Sequence, residues 1–203
     1  MSWIEALAVA FGVVSVYLSV RQNVWSWPTA IVNVALYVVV FHRARLYADM
    51  GLQVVYVGVN AYGWYQWLYG GAGRTELRVS RTSARLGVLL LALGAAFAVG
   101  LGTLLARSTD AAIPYLDSLA ASTSLVAQWM LTRKKLENWL VWVAVDVVYV
   151  AMFLSRGLYL TAGLYAVFLV LATLGYLEWR RELAPHAAAL TPPHPVPPSP
   201  EPS

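Results

Sequence analysis

Apolar residues fall in seven blocks, at about 3–20, 25–42, 47–68, 86–106, 114–132, 138–154 and 159–179, and every Arg and Lys lies outside them. Each block is close to the roughly 17–25 residues a helix needs to cross a bilayer. With 60% of residues hydrophobic and 12% charged, against about a quarter charged in soluble domains, the chain reads as an all-α polytopic membrane protein with seven transmembrane helices. The first block begins at Trp3 with no basic segment before it, so no cleavable signal peptide is expected.

The basic residues divide unevenly between the two faces that seven spans define. Arg43, Arg45, Arg107 and Arg156 fall on one face. Arg21, Arg74, Arg78, Arg81, Arg85, Arg133, Lys134, Lys135, Arg180 and Arg181 fall on the other. The positive-inside rule makes the second face cytoplasmic, with the N-terminus outside and the C-terminus inside. A net charge of +4 distributed in this way is no signal for nucleic acid. Cysteine is absent, which excludes disulfides and thiolate metal sites. Residues 180–203 are expected to form a disordered cytoplasmic tail, because eight of the ten prolines lie from Pro185 onward. His186 and His194 in that tail lack the ligand cluster a metal needs, and no metal or cofactor is expected.

Shifting the sequence by 112 residues lays the first three blocks on the last three without a gap. Trp27 meets Trp139, Tyr37 meets Tyr149, Phe41 meets Phe153, Gly63 meets Gly175 and Trp67 meets Trp179. The pairs Leu46-Tyr47 and Gly51-Leu52 meet Leu158-Tyr159 and Gly163-Leu164, Arg21 meets Arg133, and Glu5 meets Asp117. The expected organisation is a first three-helix repeat at 1–68, a basic loop and linker helix at 69–113, a second three-helix repeat at 114–179, then the tail. A single linker span returns the chain to its starting face, so the two repeats run parallel about an axis along the membrane normal. In such folds substrate binds near the midplane between repeats that rock around it.

Polar and aromatic residues recur at helical spacing within the blocks. Asn138, Trp142, Asp146 and Tyr149 share one face of the sixth; Gln53, Tyr56, Asn60 and Trp67 share one of the third. Trp25, Thr29, Asn33 and Tyr37 form a row in the second, Asp117, Ser124 and Gln128 a thinner one in the fifth, and the fourth has none. Trp3, Tyr69, Tyr159 and Trp179 near span ends read as interfacial anchors. Glu5 and Asp117 at helix starts complement the helix dipole. For Asn33, Gln53 and Asn60, hydrogen bonding between helices and contact with a ligand are both open.

Asp146 stands apart. An aspartate at the centre of a span costs about 2.5–3.5 kcal/mol on insertion scales, and no span offers a Lys or Arg to pair with it. A protonated acid bonded to Asn33 or a carbonyl, or a carboxylate wetted by a cavity, would explain it structurally. An intramembrane carboxylate is otherwise a functional group by default. One carboxylate among aromatic faces suits a flat organic cation, and the amides can hold hydroxyls or a carboxamide. A phosphate ester is disfavoured without a basic partner.

WIEALAVAFG at 3–12, INVALY within 31–37, LYADMGLQVVY at 46–56, NAYGWYQW at 60–67 and LTRKKLENWLVW at 131–142, followed by Asp146, resemble the Pnu vitamin transporters over residues 3–179. The resemblance implies a three-plus-one-plus-three fold like that of the SWEET sugar transporters. It also implies facilitated diffusion of nicotinamide riboside, with trapping by intracellular phosphorylation and participation in NAD biosynthesis. By motif, Gln53 and Trp142 match family positions associated with the bound riboside, and Asp146 replaces an asparagine. A carboxylate there favours an aromatic cation, either nicotinamide riboside or thiamine, over a neutral nucleoside. It also admits a proton-coupled variant.

The expected function is therefore membrane transport of a small aromatic cationic vitamin across the cytoplasmic (inner) membrane, with the lipid bilayer as surroundings and homo-oligomer formation left open. Gln53, Trp142, Asp146, Asn33, Asn60, Asn138 and Tyr149 are the candidate substrate-binding residues. A sugar permease has no use for Asp146. A retinal-type photoreceptor lacks a lysine in the last span. An enzyme lacks a metal cluster or Ser–His pair in the spans.

Overall fold

The computed structural model describes residues 3–43, 47–108, 114–155, 157 and 159–189. Arg45, Leu46, Arg156, Leu158 and His194 lie outside the described residues, as do the side chains of Asp117 and His186. Seven α-helices are described: α1 (Trp3–Val20), α2 (Ser26–Arg43), α3 (Tyr47–Tyr69), α4 (Ala84–Ser108), α5 (Pro114–Thr132), α6 (Asn138–Ser155) and α7 (Tyr159–Ala189). Their starts carry the expected chemistry. The Asn23 carboxamide oxygen accepts from the Trp25 amide at 2.9 Å ahead of α2, and Pro114 opens α5, where its missing N–H costs nothing. Gln22 and Lys134, which follow α1 and α5, both adopt left-handed backbone conformations, with φ of 53° and 45°.

Each of the seven apolar blocks forms a helix, and four helices among the described residues (α1, α4, α6 and α7) are long and apolar enough to cross a membrane on length and composition alone. The other three, α2, α3 and α5, carry Asn33, Gln53, Asn60 and Gln128, whose polar side chains lower their apolar character. One expectation needs correction: the break expected at Pro185 does not occur, since α7 continues to Ala189. Alanine, the best helix former, occupies positions 184 and 187–189, and this propensity opposes the proline's cost of about 3 kcal/mol.

Six helices close into a ring in which α1 packs on α2, α2 on α3, α3 on α5, α5 on α6, α6 on α7 and α7 on α1. Helix α4 packs on α5. At one end of the ring four tryptophans form the core. Trp27 meets Trp67 edge-on at 5.2 Å and 88°, and Trp139 meets Trp179 edge-on at 5.3 Å and 86°. Trp67 and Trp179 meet each other at 5.9 Å. Such aromatic pairs contribute about 0.5–1.5 kcal/mol beyond area burial. Close approach demands glycine opposite each outer ring: a Cβ on Gly63 would sit 2.3 Å from the Trp27 ring, and one on Gly175 would sit 2.5 Å from the Trp139 ring. Trp179 is thus no interfacial anchor but fully buried, whereas Trp3, Tyr69 and Tyr159 are exposed.

The indole hydrogen bonds follow the same offset. Trp67 Nε1 donates to the Leu131 carbonyl at 3.0 Å, at the end of α5. Trp179 Nε1 donates to the Ser19 and Val20 carbonyls at 3.2 Å, at the end of α1. Each third-helix tryptophan therefore caps carbonyls that a helix end leaves without intrahelical partners. Trp27 Nε1 and Trp139 Nε1 are buried without a partner among the described residues.

The α3–α4 connection straps this end. The Ser80 amide donates to the Lys134 carbonyl at 3.0 Å, and the Leu136 amide donates to the Ser80 carbonyl at 2.9 Å. The Thr82 amide donates to the Glu137 carboxylate at 2.8 Å, and Val79 is buried against the tryptophan core. Lys134 is folded under this strap, with Nζ 4.5 Å from the Trp67 ring centroid and donating to Gln22 Oε1 at 3.2 Å. Burial pulls its ammonium below the usual lysine value, while Glu182 and Glu76 pull the other way.

The two kinds of tryptophan should respond differently to losing the N–H. Trp67→Phe and Trp179→Phe are expected to lower stability by about 0.5–1.5 kcal/mol each, because a buried hydrogen bond is lost, while the Leu131 and Ser19 carbonyls keep the turn amides of Lys134 and Gln22. Trp27→Phe and Trp139→Phe lose no bond and should cost less. Thermal unfolding of the four variants in detergent checks this, and equal losses in all four would refute the capping role.

Candidate functional site

A cavity of about 470 Å³ lies inside the ring, lined by every helix except α4. Trp27 and Trp139 of the tryptophan cluster form part of its wall, as do Tyr37, Phe41 and Tyr149 further along the same helices. The fourth block, which carries no polar stripe, is the helix that contributes nothing to the lining.

Six of the seven expected site residues line this one cavity: Asn33, Gln53, Asn60, Trp142, Asp146 and Tyr149. The seventh, Asn138, does not. It is fully buried at the start of α6, where its Nδ2 donates to the Lys135 carbonyl at 2.6 Å. Two turns separate it from Asp146 along α6, so sharing a helix face did not bring it to the cavity. Of the other striped residues, Tyr37, Tyr56, Ser124 and Gln128 line the cavity. Trp67 instead sits in the tryptophan core, Trp25 is exposed, and the Thr29 hydroxyl donates to carbonyls of its own helix.

The amides both join helices and face the cavity. Asn33 Nδ2 donates to the Ala8 carbonyl of α1 at 2.6 Å. Gln128 Nε2 donates to Asn60 Oδ1 at 3.0 Å, linking α5 to α3. Each group keeps unused donors or acceptors, so the two open readings, interhelical bond and ligand contact, are compatible in one residue.

Helices α6 and α7 supply an aromatic wall. The Tyr149 ring lies 4.7 Å from Tyr165 and 5.8 Å from Phe153, and Tyr165 lies 6.0 Å from Phe168. Tyr165 and Phe168 were missed in the sequence, though a signal existed: the 112-residue offset lays Gln53 on Tyr165 and Tyr56 on Phe168, and all four line the cavity. The seventh block has too many apolar neighbours for its stripe to stand out.

Asp146 is 4% exposed and lines the same space. Among the described residues its carboxylate accepts no hydrogen bond, and the ion pairs present, Arg21–Glu178 and Arg181–Glu178, do not involve it. Burying a charge without a partner is unfavourable, and protonation, water or a ligand in the cavity offsets it. The arrangement offers a lone acid and flat faces, with the amides of Asn33, Gln53, Asn60 and Gln128 on the same wall, and it can hold an aromatic cation.

The family model described as "Nicotinamide mononucleotide transporter" matches residues 2–181, and the chain belongs to that family. It is similar to the nicotinamide riboside transporter PnuC of Escherichia coli (strain K12), 28% identical over 88% of this chain and 85% of that one. It is also similar to the riboflavin/roseoflavin transporter RibM of Streptomyces davaonensis, 25% identical over 87% of this chain and 84% of that one. The crystal structure of the vitamin B3 transporter PnuC superposes with a TM-score of 0.72, at 22% identity over 91% of this chain and 83% of that one. The chain is thus a multi-pass membrane protein of a transporter family with the PnuC fold.

The unpaired state of Asp146 has a measurable consequence for the empty protein. Asp146→Asn should raise its stability by about 1 kcal/mol or more, since a buried charge is exchanged for a neutral isostere. Thermal unfolding without ligand tests this. A loss of stability would mean that the carboxylate has a structural partner.

Proposed function

We propose that this member of the nicotinamide mononucleotide transporter family carries an aromatic cationic vitamin, nicotinamide riboside first among them, through the cytoplasmic membrane by facilitated diffusion. The observation that carries the proposal is Asp146, a buried carboxylate without a cation partner among the described residues, on the wall of an aromatic cavity. Trp142 stacks on the cationic ring and Asp146 balances its charge. Gln53, Asn33 and Asn60 hold the polar groups.

The halves α1–α3 and α5–α7 act as parallel repeats joined by α4, and transport is their rocking about the cavity. Matched tryptophan pairs 112 residues apart, matched indole caps and a ring that the offset maps onto itself support this organisation. The Arg and Lys distribution supports an outside N-terminus and a cytoplasmic C-terminus. No nucleotide-hydrolysing motif is present, so net uptake needs a downstream step that removes the product, and phosphorylation inside the cell supplies one.

A second reading, that another vitamin is the substrate, is favoured by the similarity to RibM. Thiamine shares the cationic ring, whereas riboflavin is neutral and gains nothing from Asp146. Titration calorimetry of the purified protein with nicotinamide riboside, thiamine and riboflavin separates them. Nicotinamide riboside should bind most tightly. Asp146→Asn should weaken it about 10- to 100-fold, the range of a partly screened charge pair, and Trp142→Ala roughly tenfold. Preference for riboflavin, unaffected by Asp146→Asn, would overturn the cation reading. Binding of thiamine alone would change the substrate and leave the site standing.

A further inference from the structure

The ring of helices has two seams between its halves, α3 against α5 and α7 against α1. The 112-residue offset maps one seam onto the other, so equivalent positions can be compared. Asn60 and Gln128 on the first correspond to Ala172 and Val16 on the second, and all four line the cavity. Gln53 on α3 likewise corresponds to Tyr165 on α7. The cavity is therefore built on near-equivalent backbone positions but carries an amide pair at one seam and apolar side chains at the matching positions of the other.

We infer that the Asn60–Gln128 pair is the hydroxyl-recognising side of the cavity and sets both the ligand's orientation and its selection for a vicinal diol. The pair makes one bond across the seam, Gln128 Nε2 to Asn60 Oδ1 at 3.0 Å. That bond leaves the Gln128 carbonyl oxygen and the Asn60 amide hydrogens unused. Whichever way the two amides are turned, one bond between them leaves a carbonyl acceptor and N–H donors side by side. Two adjacent hydroxyls match this set, each able to give and to receive a hydrogen bond. Elsewhere on the wall Tyr149 of α6 and Tyr165 and Phe168 of α7 cluster, offer flat faces and take the ring. A ligand with a ring at one end and a diol at the other fits in one direction.

This rests on the proposed function, and the test keeps the two apart. The probes are nicotinamide riboside and 1-methylnicotinamide, which carry the same cationic ring with and without the sugar. Their dissociation constants are measured by calorimetry on the full chain. Wild type should prefer the riboside, and Gln128→Met, which keeps the side-chain length but removes the amide, should reduce that preference about tenfold. Gln128→Asn, too short to reach Asn60, should act in the same direction and serves if the methionine variant does not fold. An unchanged preference, or equal weakening of both ligands, would make the pair a helix clamp and overturn the inference. Equal affinity of wild type for both probes would overturn it too, with the cation site intact. Wild type binding neither probe would remove the functional reading itself, and this inference with it.

Discussion

The structure depends on the way each half of the ring closes the helix end of the other. Trp67 on α3 caps α5 through the Leu131 carbonyl, and Trp179 on α7 caps α1 through the Ser19 and Val20 carbonyls. The Leu131 and Ser19 carbonyls also accept amides of their own turns, from Lys134 and Gln22, so the indole bonds from the opposite half add to those turns and tie the halves together at one point along their length. The glycines at 63 and 175 let the outer rings pack against that point. The strap from α3 to α4 seals it, with Val79 under the strap and Lys134 over the Trp67 ring. The consequence is an end of the ring filled with large side chains, and a cavity that Trp27 and Trp139 wall at that end.

At the 112-residue offset the two halves match in one place and differ in another. Backbone geometry matches at the caps: Gln22 and Lys134 share a left-handed conformation, and the Arg133–Gln66 hydrogen bond has its counterpart in the Arg21–Glu178 ion pair. In the cavity the matching positions differ: Val34 falls on Asp146, Gln53 on Tyr165 and Asn60 on Ala172. A symmetric scaffold with an asymmetric lining suits a ligand whose two ends differ chemically. The family to which the chain belongs is one of transporters.

The sequence by itself determined the helical, membrane-bound class, because apolar blocks of that length with all basic residues between them allow few alternatives. It determined helix positions to within a few residues at most ends, and the 112-residue offset that the tryptophan pairs and their facing glycines follow. It also brought Asn33, Gln53, Asn60, Trp142, Asp146 and Tyr149 forward, since polar groups in apolar blocks are conspicuous. Only the tertiary structure decided which of the conspicuous residues meet. Asn138 and Trp67 share helix faces with true lining residues yet serve the turn and the core, because a face says nothing of depth along the ring. Trp179 looked like an anchor because its position at a span end is ambiguous between lipid interface and protein interior. Tyr165 and Phe168 were invisible among apolar neighbours, and the Gln128–Asn60 bond spans two helices whose adjacency no local pattern encodes. Periodicity fixes direction around a helix axis; which neighbour stands there, and at what height, is settled by packing.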